Sequence, residues 1–200
     1  GLWALFAWRC RRVAAPLLRL GLFTERAYRV ASISQLGSQF AIFAFFFWTP
    51  LFMENVWGWR ASTVGWVVAI PLVISFISMP VGRLTDRYGS RGVLVVGGVA
   101  GVAAHAWWWW ALGDTPSFGR LAVGLVLFGV AIGMVGITAA SAALARIERT
   151  DLAMANSAFQ TGRRLIQTLG VAAVIAILGD RSTDAVERFR VVWLVAGLGF

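Results

Sequence analysis

The side chains able to make or break bonds are few and badly placed for it. The nine acids are Glu25, Glu54, Asp86, Asp114, Glu148, Asp151, Asp180, Asp184 and Glu187, and each lies between long apolar runs or at the edge of one. Cys10 is the single cysteine, so neither an internal disulfide nor a cysteine metal site is available. No nucleophile–base motif, phosphate-binding loop or metal-ligand cluster is present, which argues against an enzyme and calls for no metal and no cofactor. The polar groups inside the apolar runs are of another kind. Ser32, Gln35 and Gln39 fall three and four residues apart on one helical face, with Ser38 beside them. Asn156, Gln160, Arg163 and Gln167 are spaced by four, three and four, a single stripe over three turns, with Arg164 adjacent. Such groups recognise and orient a molecule; they do not cleave it.

For each candidate two readings are open. Arg163 and Arg164 either face a cavity, as intramembrane charges usually do, or sit at a span end and extend to lipid headgroups. Gln35, Ser38 and Gln39 bond either a substrate or a neighbouring helix. His105 either carries protons, its usual titration lying near neutrality, or acts as a structural hydrogen-bond donor.

The elements that must position these groups follow from composition. The chain has 200 residues, 59% hydrophobic and 14% charged, with mean hydropathy +0.76. Soluble chains carry about 25% charged residues, so an all-α polytopic membrane bundle is expected. A helix needs roughly 20 apolar residues to cross hydrocarbon. Spans are expected at about 28–52, ending at Pro50, then 61–81, 91–112, 119–141 and 157–179, with a partial one over 191–200. Residues 1–8 read as the end of another span and 9–27 as a basic cytoplasmic linker; the rest, 28–200, forms the bundle. Pro71 falls mid-span, where the missing N–H kinks a helix. Gly97 with Gly101, and Gly129 with Gly133, make small-xxx-small pairs suited to close packing. Trp57 and Trp59 read as interfacial anchors, and Trp107 to Trp110 as an aromatic belt at the outer surface.

The net charge of +9 would suggest nucleic acid in a soluble protein. Here arginine clusters set by topology and anionic lipid account for it, and no nucleic-acid partner is expected. Between the second and third spans lies Gly82-Arg83-Leu84-Thr85-Asp86-Arg87-Tyr88-Gly89-Ser90-Arg91-Gly92. It is too charged for hydrocarbon and reads as a tight turn at one surface, with Asp86 placed to meet the positive start of the next helix. If this turn is cytoplasmic, thirteen of the eighteen arginines share its side, as the positive-inside rule requires.

The pattern Gly82-x-Leu84-x-Asp86-Arg87-x-Gly89-x-Arg91 resembles the signature loop of the major facilitator superfamily. The stretches Leu51 to Trp59 and Arg149 to Ser157 are similar to its fourteen-span drug:proton antiporter branch. Ser90 stands where the family loop often has a basic residue. The resemblance implies the C-terminal half of a secondary transporter, a fragment lacking its N-terminal half, in a cell membrane (the bacterial inner membrane). It implies proton-coupled efflux of drug-like or amphipathic small molecules by alternating access, with Gly82, Asp86, Arg87, Gly89 and Arg91 as a conformational latch. Gln35, Gln39, Asn156, Gln160, Arg163 and Gln167 would line the cavity, and any coupling carboxylate would lie in the missing half. A metabolite transporter, and a membrane enzyme or scaffold, are the alternatives.

Overall fold

A computed structural model describes residues 26–77, 81–144, 147, 151–179 and 184–200. Among these it shows no strand and six helices: α1 (Arg26–Asn55), α2 (Ala61–Ile77), α3 (Val81–Ala111), α4 (Phe118–Leu144), α5 (Leu152–Gly179) and α6 (Ala185–Gly197). Tyr28–Asn55, Thr85–Ala111, Phe118–Ala142 and Leu152–Gly179 are long and apolar enough to cross a membrane, and Ala61–Phe76 is a shorter apolar helix. The all-α membrane bundle expected from composition is therefore what forms. The span end at 1–8, the linker up to residue 25, Pro80, and the charged residues at 148–150 and 180–183 lie outside the described residues.

Three segments depart from their expected form. Helix α1 does not stop at Pro50 but runs through it to Asn55. The ring removes one N–H, and the helix closes around the gap. Asn55 Nδ2 donates to the Leu51 carbonyl at 2.9 Å, and Gly58, at φ 66°, turns the chain so that the Trp59 N–H reaches the Met53 carbonyl at 3.0 Å. The stretch 82–92 is not a turn. Its Leu and Arg residues favour helix, and it coils with α3 up to Gly89, which alone breaks the helix at φ 77°, ψ 156°. That conformation is open to glycine and strained for other residues. Finally, 185–190 is not loop but the start of α6, with Asp184 at the N-cap and Glu187 in the first turn, where acids suit the helix dipole. Arg188 Nη1 donates to the Leu178 carbonyl at 2.9 Å, so a cation closes the C-terminal turn of α5.

Helix α1 is the hub, touching α2, α4, α5 and α6, while α3 packs most closely on α4. Where helices come nearest, glycine makes the space. A Cβ at Gly97 of α3 would lie 2.8 Å from Val135 Cγ2 of α4, one at Gly129 of α4 would lie 2.9 Å from the Pro71 carbonyl oxygen of α2, and one at Gly170 of α5 would lie 2.7 Å from the Phe40 carbonyl oxygen of α1.

The core is aromatic and concentrated at one end. Phe45 stacks with Trp108 at 5.6 Å and meets Phe128 at 4.6 Å. Trp48 lies edge-on to Trp108 at 5.2 Å and to Trp193 at 5.4 Å, and Phe52 lies edge-on to Phe189 at 5.1 Å. Edge-to-face contacts of this kind add about 0.5–1.5 kcal/mol each beyond area burial. The four consecutive tryptophans are thus no uniform belt. At about 100° per residue they point to different sides: Trp108 is fully buried and Trp110 is 71% exposed. Trp57 is buried too, not an interfacial anchor. The indoles fasten loops: Trp57 Nε1 donates to the Gly113 carbonyl at 2.8 Å and Trp107 Nε1 to the Arg120 carbonyl at 2.7 Å.

Two glycines give a paired test of the packing. Gly129→Ala forces its methyl group against the Pro71 backbone and should destabilise the purified protein by about 1–3 kcal/mol. Gly136→Ala meets nothing within 4 Å and should leave the unfolding curve almost unmoved. Equal unfolding midpoints for the two variants would contradict the contact.

Candidate functional site

The two polar stripes meet. Tyr28, Ser32, Gln35 and Gln39 recur at helical spacing on one face of α1. The Tyr28 hydroxyl donates to the Ala155 carbonyl of α5 at 3.2 Å. Eleven residues on, Gln167 Nε2 of α5 donates to Gln39 Oε1 at 2.7 Å. Numbers rise together along both helices, so α1 and α5 run parallel and share a polar seam. Gln35 and Gln39 are 2% and 4% exposed.

Between those two bonds lies a gap in the pairing. The offset of 127 to 128 residues set by the two bonds puts Arg163 level with Gln35. At that level a Cβ on Gly162 would lie 3.4 Å from Leu36 Cδ2, so the helices stay in contact. Gln35 Oε1 and Arg163 Nε are both enclosed and have no hydrogen-bond partner. Arg163 is half-buried, whereas Arg164, Asn156 and Gln160 are exposed. The seam therefore gathers Gln35, Gln39, Arg163 and Gln167, and leaves Asn156 and Gln160 on the open side of α5. Ser38 serves its own helix, donating to the Gln35 carbonyl at 3.0 Å. Tyr28 was missed as a seam residue, although it stands seven residues before Gln35 on the same face.

His105 is a structural donor by its contacts. Its Nδ1 lies 2.9 Å from the Gly101 carbonyl, an acceptor only, so the proton sits on that nitrogen. Trp108, Phe128 and Phe200 surround the ring at 5.2, 5.5 and 5.9 Å.

In the signature stretch, Gly82, Asp86, Arg87, Gly89 and Arg91 are all exposed. Asp86 was expected to reach the start of the next helix. It lies instead within the first helical segment of α3, before the Gly89 break, and makes no hydrogen bond or ion pair among the described residues. Arg87 rests over the Tyr88 ring at 5.4 Å.

A hollow of about 1070 Å³ opens on another side of α1, against α3. Val30, Leu94, Val99 and Phe200 line it, with Ser34 and Arg91 as polar members. None of the six residues expected to line a cavity borders it.

Residues 31–200 match the family model of the Major Facilitator Superfamily. The chain is 26% identical over 176 residues to "Multidrug resistance protein Stp" of Mycobacterium tuberculosis, covering 88% of this chain and 32% of that protein. It is 26% identical over 175 residues to "Riboflavin transporter RibZ" of Clostridioides difficile, covering 84% and 37%. It is 27% identical over 177 residues to the uncharacterised transporter YvkA of Bacillus subtilis, covering 88% and 39%. The chain spans about a third of the length of these relatives. No solved structure matches it. A multi-pass helical bundle whose match to one family model covers most of its length belongs to the major facilitator superfamily.

Proposed function

We propose that the chain works in proton-driven efflux of drug-like or amphipathic small molecules across a bacterial inner membrane, by alternating access against a second, N-terminal bundle. The observation that carries this reading is the α1–α5 seam, where Gln39 and Gln167 bond across helices in an otherwise apolar bundle. Polar groups within spans mark substrate paths, and amide side chains can exchange a mutual bond for one to a passing molecule. Likeness to a multidrug resistance protein supports drug-like cargo; likeness to a riboflavin transporter supports metabolite transport as the second reading. Of the described acids, Glu54, Asp86, Asp114, Asp151, Asp184 and Glu187, each stands at a helix end, in a connection or beside the Gly89 break. The carboxylate that couples protons then belongs to another part of the transporter.

The test is flux in inverted vesicles expressing the complete reading frame. A pH gradient should drive accumulation of an amphipathic dye, and a protonophore should abolish it. Dye movement indifferent to the gradient would remove proton coupling, and gradient-driven riboflavin uptake without dye uptake would favour the metabolite reading.

The latch is a proposal of the same kind. Asp86, Arg87 and Arg91 are free to pair in one conformation and separate in the other, with Gly89 as the joint and Gly82 as the entry. A hydrogen bond to a charged group contributes about 1.5–3 kcal/mol, so losing it in one state shifts the balance of states roughly 10- to 100-fold. Asp86→Asn should slow turnover on that scale while leaving dye affinity nearly intact. Normal turnover in that variant would refute the latch.

A further inference from the structure

We infer that Arg163 and Gln35 form a recognition point for a carboxylate on the transported molecule. This rests on the transporter reading above and adds a substrate class to it.

Depth comes first. Helix α5 has 28 residues, about 42 Å at 1.5 Å per residue, and Arg163 stands eleven residues, about 17 Å, in from its N-terminal end. A guanidinium at that depth needs an acceptor or water. Arg164 on the same turn is exposed; Arg163 is half-buried, level with Gln35 of α1, with its Nε enclosed.

No described acid lies near it along α1 or α5. Along α5 the nearest described acid is Asp151, twelve residues away, or about 18 Å. On α1 it is Glu54, nineteen residues beyond Gln35, or about 28 Å. The neighbouring amides do not serve either. Gln39 and Gln167 bond each other rather than Arg163, and Gln35 leaves its own Oε1 unbonded though the residue is 2% exposed. An enclosed amide oxygen and an enclosed guanidinium Nε, both without a partner at one level of the seam, are an incomplete hydrogen-bonding set.

The ligand that completes it is planar and negative. A carboxylate accepts two parallel N–H bonds from a guanidinium. A Gln35 amide turned about its last bond presents its NH2 to the same group. The parallel seam presents these groups one helical turn from the Gln39–Gln167 bridge, which caps the site on that side.

The complete reading frame, purified and reconstituted, tests this with two probes: a fluorescent aromatic carboxylate and its methyl ester. Wild type is expected to bind and move the carboxylate in preference to the ester. Arg163→Gln should weaken the carboxylate about 10- to 100-fold, the range of a charged hydrogen bond, and leave the ester within about twofold. Arg163→Lys should restore part of the loss, and Gln35→Glu, which supplies an internal partner to Arg163, should reject the carboxylate while the protein folds and moves the ester. Equal losses for both probes would show that Arg163 serves folding or the conformational cycle. No change would show that its head is solvated or bound to lipid. Either result overturns the inference. Gradient-driven dye flux without preference for the carboxylate also overturns it, and leaves the transporter reading in place; absence of all flux removes that reading instead.

Discussion

Hydrocarbon offers no hydrogen bonds, so this chain must satisfy its polar groups from within. The backbone does so by coiling. Short side chains do so by bonding back to their own helix: Ser75 to the Leu72 carbonyl, Ser141 to Thr138, Thr161 to Ser157 and Thr168 to Arg164, at 2.7 to 3.2 Å. Such back-bonding is local and consumes the hydroxyl. Glutamine and arginine are too long to be satisfied that way in a packed interface. Gln35, Gln39, Arg163 and Gln167 fall on one pair of parallel helices, whereas other unpartnered groups, His105 Nε2, Thr138 Oγ1 and Trp193 Nε1 among them, lie on α3, α4 and α6.

The same solvent removes the usual reason for helices to associate, since lipid tails are as apolar as leucine. Shape takes over. Glycine notches bring α3 onto α4, α4 onto α2 and α5 onto α1, and dispersion grows as the backbones close. At one end interlocked rings and indole-to-carbonyl bonds fix α1, α3, α4 and α6 together. At the other, a smaller cluster of Tyr28, Ala31, Ala155 and Phe159 joins α1 to α5, with Ala140, Ala142 and Leu144 of α4 packed against it.

Four spans were legible because roughly 20 apolar residues in a row admit few other structures. The contacts at Gly97 and Gly129 were legible from spacing, because a four-residue interval returns to the same face, whereas that at Gly170 was not. What could not be read was whatever depends on a second helix. Pro50 looked like a stop because local backbone chemistry says so, yet packing carries α1 five residues further. The 82–92 stretch looked like a turn because charge and glycine mark loops, whereas arginine is also a good helix former and only Gly89 has the dihedral angles of a break. The tryptophan run could not be split into core and surface without knowing which direction α4 occupied. In the stripe 156–167 the spacing was visible, but which end meets α1 depends on the tilt between helices, and Asn156 and Gln160 fell on the open side.

A transporter must hold its cargo and also release it. A salt bridge between Arg163 and an acid of the bundle would satisfy the cation permanently, and cargo could not displace it without leaving a buried charge unpaired, at a cost of about 3–5 kcal/mol. A guanidinium with no described acid near it along α1 or α5 has the opposite property. It is stabilised only while a mobile partner is present, and the Gln39–Gln167 bond beside it holds the helices in register when none is. An incomplete polar set next to a complete one is therefore suited to reversible binding in a place where full pairing would lock the site and full absence of polarity would leave nothing to recognise.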